Sequence, residues 1–214
     1  MCVILVCPPQ VRPDLDVLKA CHAANPHGAG IGWRQDGAVH WKKNLGPEQL
    51  AGLIGKLEGE IVLHFRWASV GGVDPRLCHP FPVDRGASTK LEGKAGRLLF
   101  HNGTWGGHKS ALEFIEKRQD RTISRPISDT RVIALLVDML RDDSTLEHID
   151  GRFVLYTPKR TKLYGQWRKW RGMQTSNLGF VYELERAERR ARWADADDGE
   201  QLALWSEGGE EVAS

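Results

Sequence analysis

Strand-like and helix-like segments follow one another in mixed order along this chain, and that order restricts the fold more than any single residue does. Residues 3–6 (Val-Ile-Leu-Val) predict a strand that begins almost at the terminus. Pro13-Asp14 then opens a helix through about Ala24, with Asp14 as its cap. A glycine-rich turn follows at residues 25–32, then a strand at 37–41. Leu50, Leu53, Ile54 and Leu57 recur at i, i+3, i+4 and i+7, so residues 47–57 predict an amphipathic helix. Residues 61–66 predict a buried strand with a polar end, 70–96 a loop, and 97–101 another strand. Helices are expected at 109–118 and, more strongly, at 128–141, where Ile133, Leu136, Val137 and Leu140 share a face. Late strands are expected at 152–157, 162–164 and 180–184. This alternation with several hairpins fits two sheets covered by helices better than a doubly wound parallel sheet.

The 214 residues are 41% hydrophobic and 27% charged, enough for one domain with a real core, expected over residues 1–184. From residue 185 the composition turns charged and poorly periodic, which predicts a charged helix or tail over 185–214, docked through Trp193 or Trp205. The net charge of +2 gives no field that would favour nucleic acid or an anionic membrane. Apolar runs such as residues 61–63 are too short to span a bilayer. The first residues carry no basic stretch, and the apolar run stops at Pro8-Pro9, so no signal peptide is expected. Cys2, Cys7, Cys21 and Cys78 are too few and too scattered for a disulfide framework, which points to a reducing cytoplasm. Gln166-Trp167-Arg168-Lys169-Trp170-Arg171 interleaves aromatics with cations as stacking platforms do, but the near-neutral chain favours a hairpin with a solvated basic edge.

Cys2 follows the initiator methionine. Removal of Met1 would leave a cysteine with a free α-amine, whose ordinary pKa of about 8 lies near the thiol's at about 8.5. Such an amine can act as general base for its own side chain. Taken alone, Cys2 reads more simply as a chance cysteine on a strand. Four further segments change that. Asn25-Pro26-His27-Gly28-Ala29-Gly30-Ile31-Gly32-Trp33 allows close backbone approach, or is an ordinary turn. Arg66 ends a buried strand in His64-Phe65-Arg66-Trp67-Ala68-Ser69-Val70-Gly71; its planar fork suits a carboxylate, though a surface ion pair accounts for it as well. Cys78-His79-Pro80 lacks a second ligand pair, so no metal is expected and His79 reads as a hydrogen-bonded loop histidine. Asn102-Gly103, within His101-Asn102-Gly103-Thr104-Trp105, is either a hairpin turn or a pair of donors aimed at a developing oxyanion. Ser128-Asp129-Thr130 caps the best helix, and Asp129 could also pair with an ammonium.

In this order, N-terminal Cys, Arg-Trp-Ala-Ser-x-Gly, His-Pro, His-Asn-Gly and Ser-Asp-Thr resemble the class II, N-terminal-nucleophile glutamine amidotransferases, over residues 2 to about 160. The resemblance implies an α+β fold, the four-layer αββα sandwich of N-terminal-nucleophile hydrolases. It implies Cys2 as nucleophile, Asn102 and Gly103 as oxyanion hole, Arg66 on the glutamine α-carboxylate and Asp129 on the α-amino group. Trp67, Ser69 and His79 take positions that line the family's pocket. Departures are Val70 where the family often has a histidine, Val3 where it commonly has glycine, and His27 where small members often carry aspartate. The implied activity is hydrolysis of glutamine to glutamate and ammonia through a Cys2 thioester, without metal or cofactor. The chain has no room for the usual synthase domain, so the ammonia would go to a separate synthase subunit or be released. Cleavage of another γ-glutamyl or small amide, or a catalytically silent binding module of the same fold, are the alternatives.

Overall fold

The computed structural model describes residues 1–192. Its strands form two antiparallel sheets. The larger has seven strands: β1 (Val3–Cys7), β2 (Ala29–Gln35), β3 (Ala38–Leu45), β4 (Ile61–Phe65), β6 (Glu92–Ala95), β10 (Arg168–Trp170) and β11 (Met173–Thr175), in the order β10-β11-β1-β4-β2-β3-β6. The smaller runs β5-β7-β8-β9, from β5 (Phe81–Pro82), β7 (Leu98–Asn102), β8 (Arg152–Tyr156) and β9 (Thr161–Tyr164).

Strand alternation explains how the sheets stack. Along β1 the side chains of Val3, Leu5 and Cys7 pack with helices α1 (Leu15–Ala24) and α2 (Pro47–Ile54), while Ile4 and Val6 point the other way. There they meet Val62 of β4, Leu98 and Phe100 of β7, and Val154 and Tyr156 of β8, in a layer between the two sheets. The far face of the smaller sheet, through Leu99, Phe153 and Leu155, packs on α3 (His108–Gln119) and α4 (Asp129–Leu140). The molecule is therefore a four-layer αββα sandwich, the architecture the resemblance implies, with three apolar cores.

Local chemistry accounts for the helices. Asp14 caps α1 by accepting from Val17 N–H at 2.8 Å. Ser128 caps α4 by accepting from Arg131 N–H at 3.2 Å. The buried guanidinium of Arg131 donates to the carbonyls of Ala87 and Pro126, both at 2.8 Å, and so ties the start of α4 to the loop above the smaller sheet.

The structure departs from the sequence reading in several places; the glycine-rich turn expected at 25–32 gives way at Ala29 to strand β2. Residues 180–184 are not a strand: residues 181–192 are helical, and Phe180 and Leu184, four apart, are buried against the α1 side of the larger sheet. The expected loop over 70–96 contains β5 and β6. Asn102-Gly103 closes no two-residue hairpin, because α3 follows β7. The basic Trp-Arg-Lys-Trp segment does form a hairpin, β10–β11. The expected docking of Trp193 and Trp205 lies outside the described residues.

Candidate active site

Cys2 lies one residue before β1 and is 9% exposed. Its Sγ accepts from Trp67 N–H at 3.3 Å, at the end of β4, which pairs with β1 through Val3 and Phe65. Burial pushes the Cys2 thiol above its ordinary pKa; the Trp67 N–H, the N-terminal ammonium and Arg66 oppose the shift. A second clamp comes from the turn after β11. Asn177 Nδ2 donates to Cys2 O at 2.6 Å, and Ser176 Oγ accepts from Ile4 N–H at 2.9 Å. Because β11 pairs with β1, this turn lies beside the candidate nucleophile.

The same Ser176 hydroxyl accepts from Asn102 Nδ2 at 2.9 Å. One N–H of the Asn102 amide is thereby engaged, and the amide retains a second. Asn102 is 1% exposed, and both it and Gly103 border the cavity that contains Cys2 and Met1.

Arg66 and Asp129 lie on the other side of Cys2. Arg66 is 3% exposed; Nη2 donates to Val70 O at 3.3 Å, while buried Nη1 has no hydrogen-bond partner among the described residues. An orphaned guanidinium nitrogen at this depth is costly unless an anion completes it. Asp129, first residue of α4 and 5% exposed, accepts from Trp105 N–H at 3.0 Å and Thr130 N–H at 2.8 Å. No ion pair links Asp129 to Arg66 among the described residues. The two opposite charges thus line one cavity, both available to a zwitterion.

That cavity and the one bordered by Met1 meet at Cys2, Trp67, Ser69 and Gly103. The charged pair falls on one side of this shared wall and the Met1 mouth on the other. Trp67 is 48% exposed and tilts against His27 with ring centroids 5.2 Å apart. His27 accepts from Ala68 N–H at 2.9 Å, so the residue that departs from the family pattern fixes the loop after Arg66. Ser69 Oγ accepts from Thr104 Oγ1 at 3.2 Å, which joins that loop to the one after Gly103. His79 lines the cavity at 5% exposure. All eight residues singled out in the sequence therefore border the two adjoining cavities.

Several solved structures resemble this chain. One is the allosteric regulatory enzyme of purine biosynthesis, at 23% identity and a TM-score of 0.49, covering 74% of this chain and 36% of the other. Another is glutamine phosphoribosylpyrophosphate (PRPP) amidotransferase from B. subtilis complexed with ADP and GMP, at 22% identity and a TM-score of 0.48, covering 74% and 35%. The chain thus spans about a third of the length of these neighbours. No protein-family model and no curated protein matches the sequence.

Sequence reasoning missed Ser176, Asn177 and the ring of His64. Nothing local distinguishes Ser176-Asn177 from any other turn; their place follows only from the pairing of β11 with β1. Among the described residues no group of three or more His, Cys, Asp and Glu side chains could hold a metal ion, and no helix is long and apolar enough to cross a membrane.

Proposed function

We propose that this chain is a class II glutamine amidohydrolase, which cleaves the side-chain amide of glutamine with Cys2 as an N-terminal nucleophile. The observation that carries the reading is the pair of opposite buried charges, Arg66 with an orphaned Nη1 and Asp129, lining one cavity with the Cys2 thiol. A free amino acid has the matching zwitterion, and holding its head group at both ends orients the side-chain carbonyl toward the sulfur.

In this reading, removal of Met1, which is 78% exposed at the cavity mouth, frees the α-amine of Cys2. The amine takes the thiol proton as Sγ attacks the glutamine δ-carbon. Negative charge develops on the amide oxygen, where the second N–H of Asn102 and the N–H of Gly103 stabilise it. The tetrahedral species collapses: the C–N bond breaks, the amine passes its proton to the leaving nitrogen, and ammonia departs. A water then attacks the γ-glutamyl thioester, its proton goes to the amine, and glutamate leaves as the thiol is restored. The ammonia would be released or taken by a separate synthase subunit. No step calls for a metal or cofactor, and the cysteines suit a reducing cytoplasm.

The test is glutamate release from glutamine by protein whose mass confirms Cys2 as first residue, beside a Cys2→Ala control. Turnover in the first and none in the control is expected. Absence of turnover, together with no Cys2 adduct from a glutamine-analogue electrophile, would refute the reading.

A further inference from the structure

Three buried histidines meet behind the site. His64 is 0% exposed, His101 1% and His79 5%. The mechanism above gives His64 and His101 no role and His79 only a place in the cavity wall. His101 immediately precedes Asn102 and Gly103, at the end of β7.

Both backbone groups of His101 are bonded by imidazoles. Its N–H donates to His79 Nδ1 at 3.2 Å, and its carbonyl accepts from His64 Nε2 at 3.1 Å. Its own ring completes the arrangement, with Nδ1 3.0 Å from Thr130 Oγ1, beside Asp129. Sheet register explains why rings are needed there. β5 pairs with β7 as Phe81 with Leu99, so two residues further along this register His79 stands opposite His101. β5 ends before that point, so its backbone ladder with β7 stops short of His101. The ring of His79 supplies the acceptor its backbone does not. His64 reaches the carbonyl from the other sheet: on β4 it has the parity of Val62, which faces the layer between the sheets. The two rings lie against each other with centroids 3.9 Å apart.

These contacts fix the tautomers. A ring nitrogen that accepts an N–H carries no proton, and one that bonds a carbonyl must donate. His79 is therefore bare at Nδ1, and His64 carries its proton on Nε2, which leaves buried His64 Nδ1 without a partner among the described residues. Protonating His79 at Nδ1 would set two donors against each other at His101.

We infer that His64 and His79 are positioning residues, neutral imidazoles that replace a missing strand beside β7 and so hold Asn102 and Gly103 facing Cys2. The inference rests on the proposed amidohydrolase for its consequence, but its geometry does not. Burial, then the neighbouring His64, His101, Arg66 and Lys43, drives the His79 pKa well below its ordinary value. Burial also holds His64 at about 3, so the arrangement stays intact across the physiological range. Asp129 pulls the other way on His101 alone.

The test compares matched substitutions in protein with Cys2 at its N-terminus. Asparagine at 79 keeps an acceptor near the Nδ1 position, and glutamine at 64 keeps a donor near Nε2; leucine keeps neither. His79→Leu and His64→Leu should lower kcat for glutamine about 10- to 100-fold with KM within about three-fold, because a small displacement of oriented donors is costly. His79→Asn and His64→Gln should restore kcat to within about three-fold of wild type. Nitrogen-15 NMR of the histidines reads the tautomers without any turnover, and should show His79 bare at Nδ1 with the Gly103 amide displaced in His79→Leu but not in His79→Asn. A protonated His79 Nδ1, or equal kcat in the leucine and asparagine variants, would overturn the inference. Wild-type protein that shows the expected NMR pattern but hydrolyses no glutamine would instead remove the amidohydrolase reading and leave the positioning standing.

Discussion

The histidine cluster makes the stability of this protein depend on pH in a calculable way. Folding holds His64 at about 3 and His101 at about 4, against an ordinary value of 6.5. A group whose folded pKa is depressed contributes stability that is fully present above the unfolded value and is lost as pH falls toward the folded one. At pH 4.5 the unfolded chain has both rings protonated, while the folded chain still holds them largely neutral. Two pH units below 6.5, at 1.36 kcal/mol each, cost about 2.7 kcal/mol per ring. The pair loses about 5 kcal/mol between pH 7.5 and 4.5, comparable with the whole stability of a typical domain at about 5–15 kcal/mol. His79, shifted the same way, adds to the loss. Urea unfolding followed by tryptophan fluorescence at the two pH values measures this directly. Carboxylates also titrate in that window, so the decisive comparison is with His64→Gln, which keeps the bond to His101 but removes one titration. Its drop in stability between pH 7.5 and 4.5 should be smaller than the wild type's by about 3 kcal/mol. Equal drops in the two proteins would refute the claim that His64 is buried neutral.

The remaining predictions concern the reacting groups and the backbone that frames them. Asn102→Ala should lower kcat for glutamine about 10²- to 10³-fold by removing one oxyanion donor, with little effect on KM. Ser176→Ala should lower kcat less but destabilise more, by about 1–3 kcal/mol in urea, because buried Ile4 N–H loses its acceptor along with the Asn102 amide. Protein that retains Met1 should react with iodoacetamide at Cys2 more slowly than a free cysteine at pH 7.5, since burial raises the thiol pKa, and should gain reactivity once Met1 is removed; peptide mass spectrometry reads both rates. Gly30→Ala would place a methyl 2.0 Å from the backbone carbonyl oxygen of His79, where nothing flexible can yield, so a loss of about 3 kcal/mol is expected, read as a lower urea midpoint.

The parts of this fold that were legible in the sequence are those whose signal is local. Asp14 and Ser128 announce their helices because the cap and the helix lie within three residues of each other. β5 and β6 carry no such signal. Phe81–Pro82 is a strand only because β7 pairs with it, and the inner face of Glu92–Ala95 offers only Gly93 and Ala95, too small to read as a strand pattern. Phe180, Val181 and Tyr182 look like a strand when read singly, yet the four-residue spacing of Phe180 and Leu184 lets a helix bury both against the larger sheet.

The candidate site divides along the same line. Cys2, Arg66, Asn102, Gly103 and Asp129 each lie at the end of an element, in a short run of recognisable chemistry, because a group that must meet a ligand stands where an element stops and backbone donors are free. The groups that hold them in place come from the pairing of distant segments. Ser176 is 172 residues from Ile4 and 74 from Asn102, yet one hydroxyl serves both. His64, on β4 of the larger sheet, bonds the carbonyl of the residue before Asn102, on β7 of the smaller one. Neither residue has a neighbour in sequence that would reveal its role. Both roles follow once the sheet order is known, since β11 lies beside β1 and the inner face of β4 lies against β7.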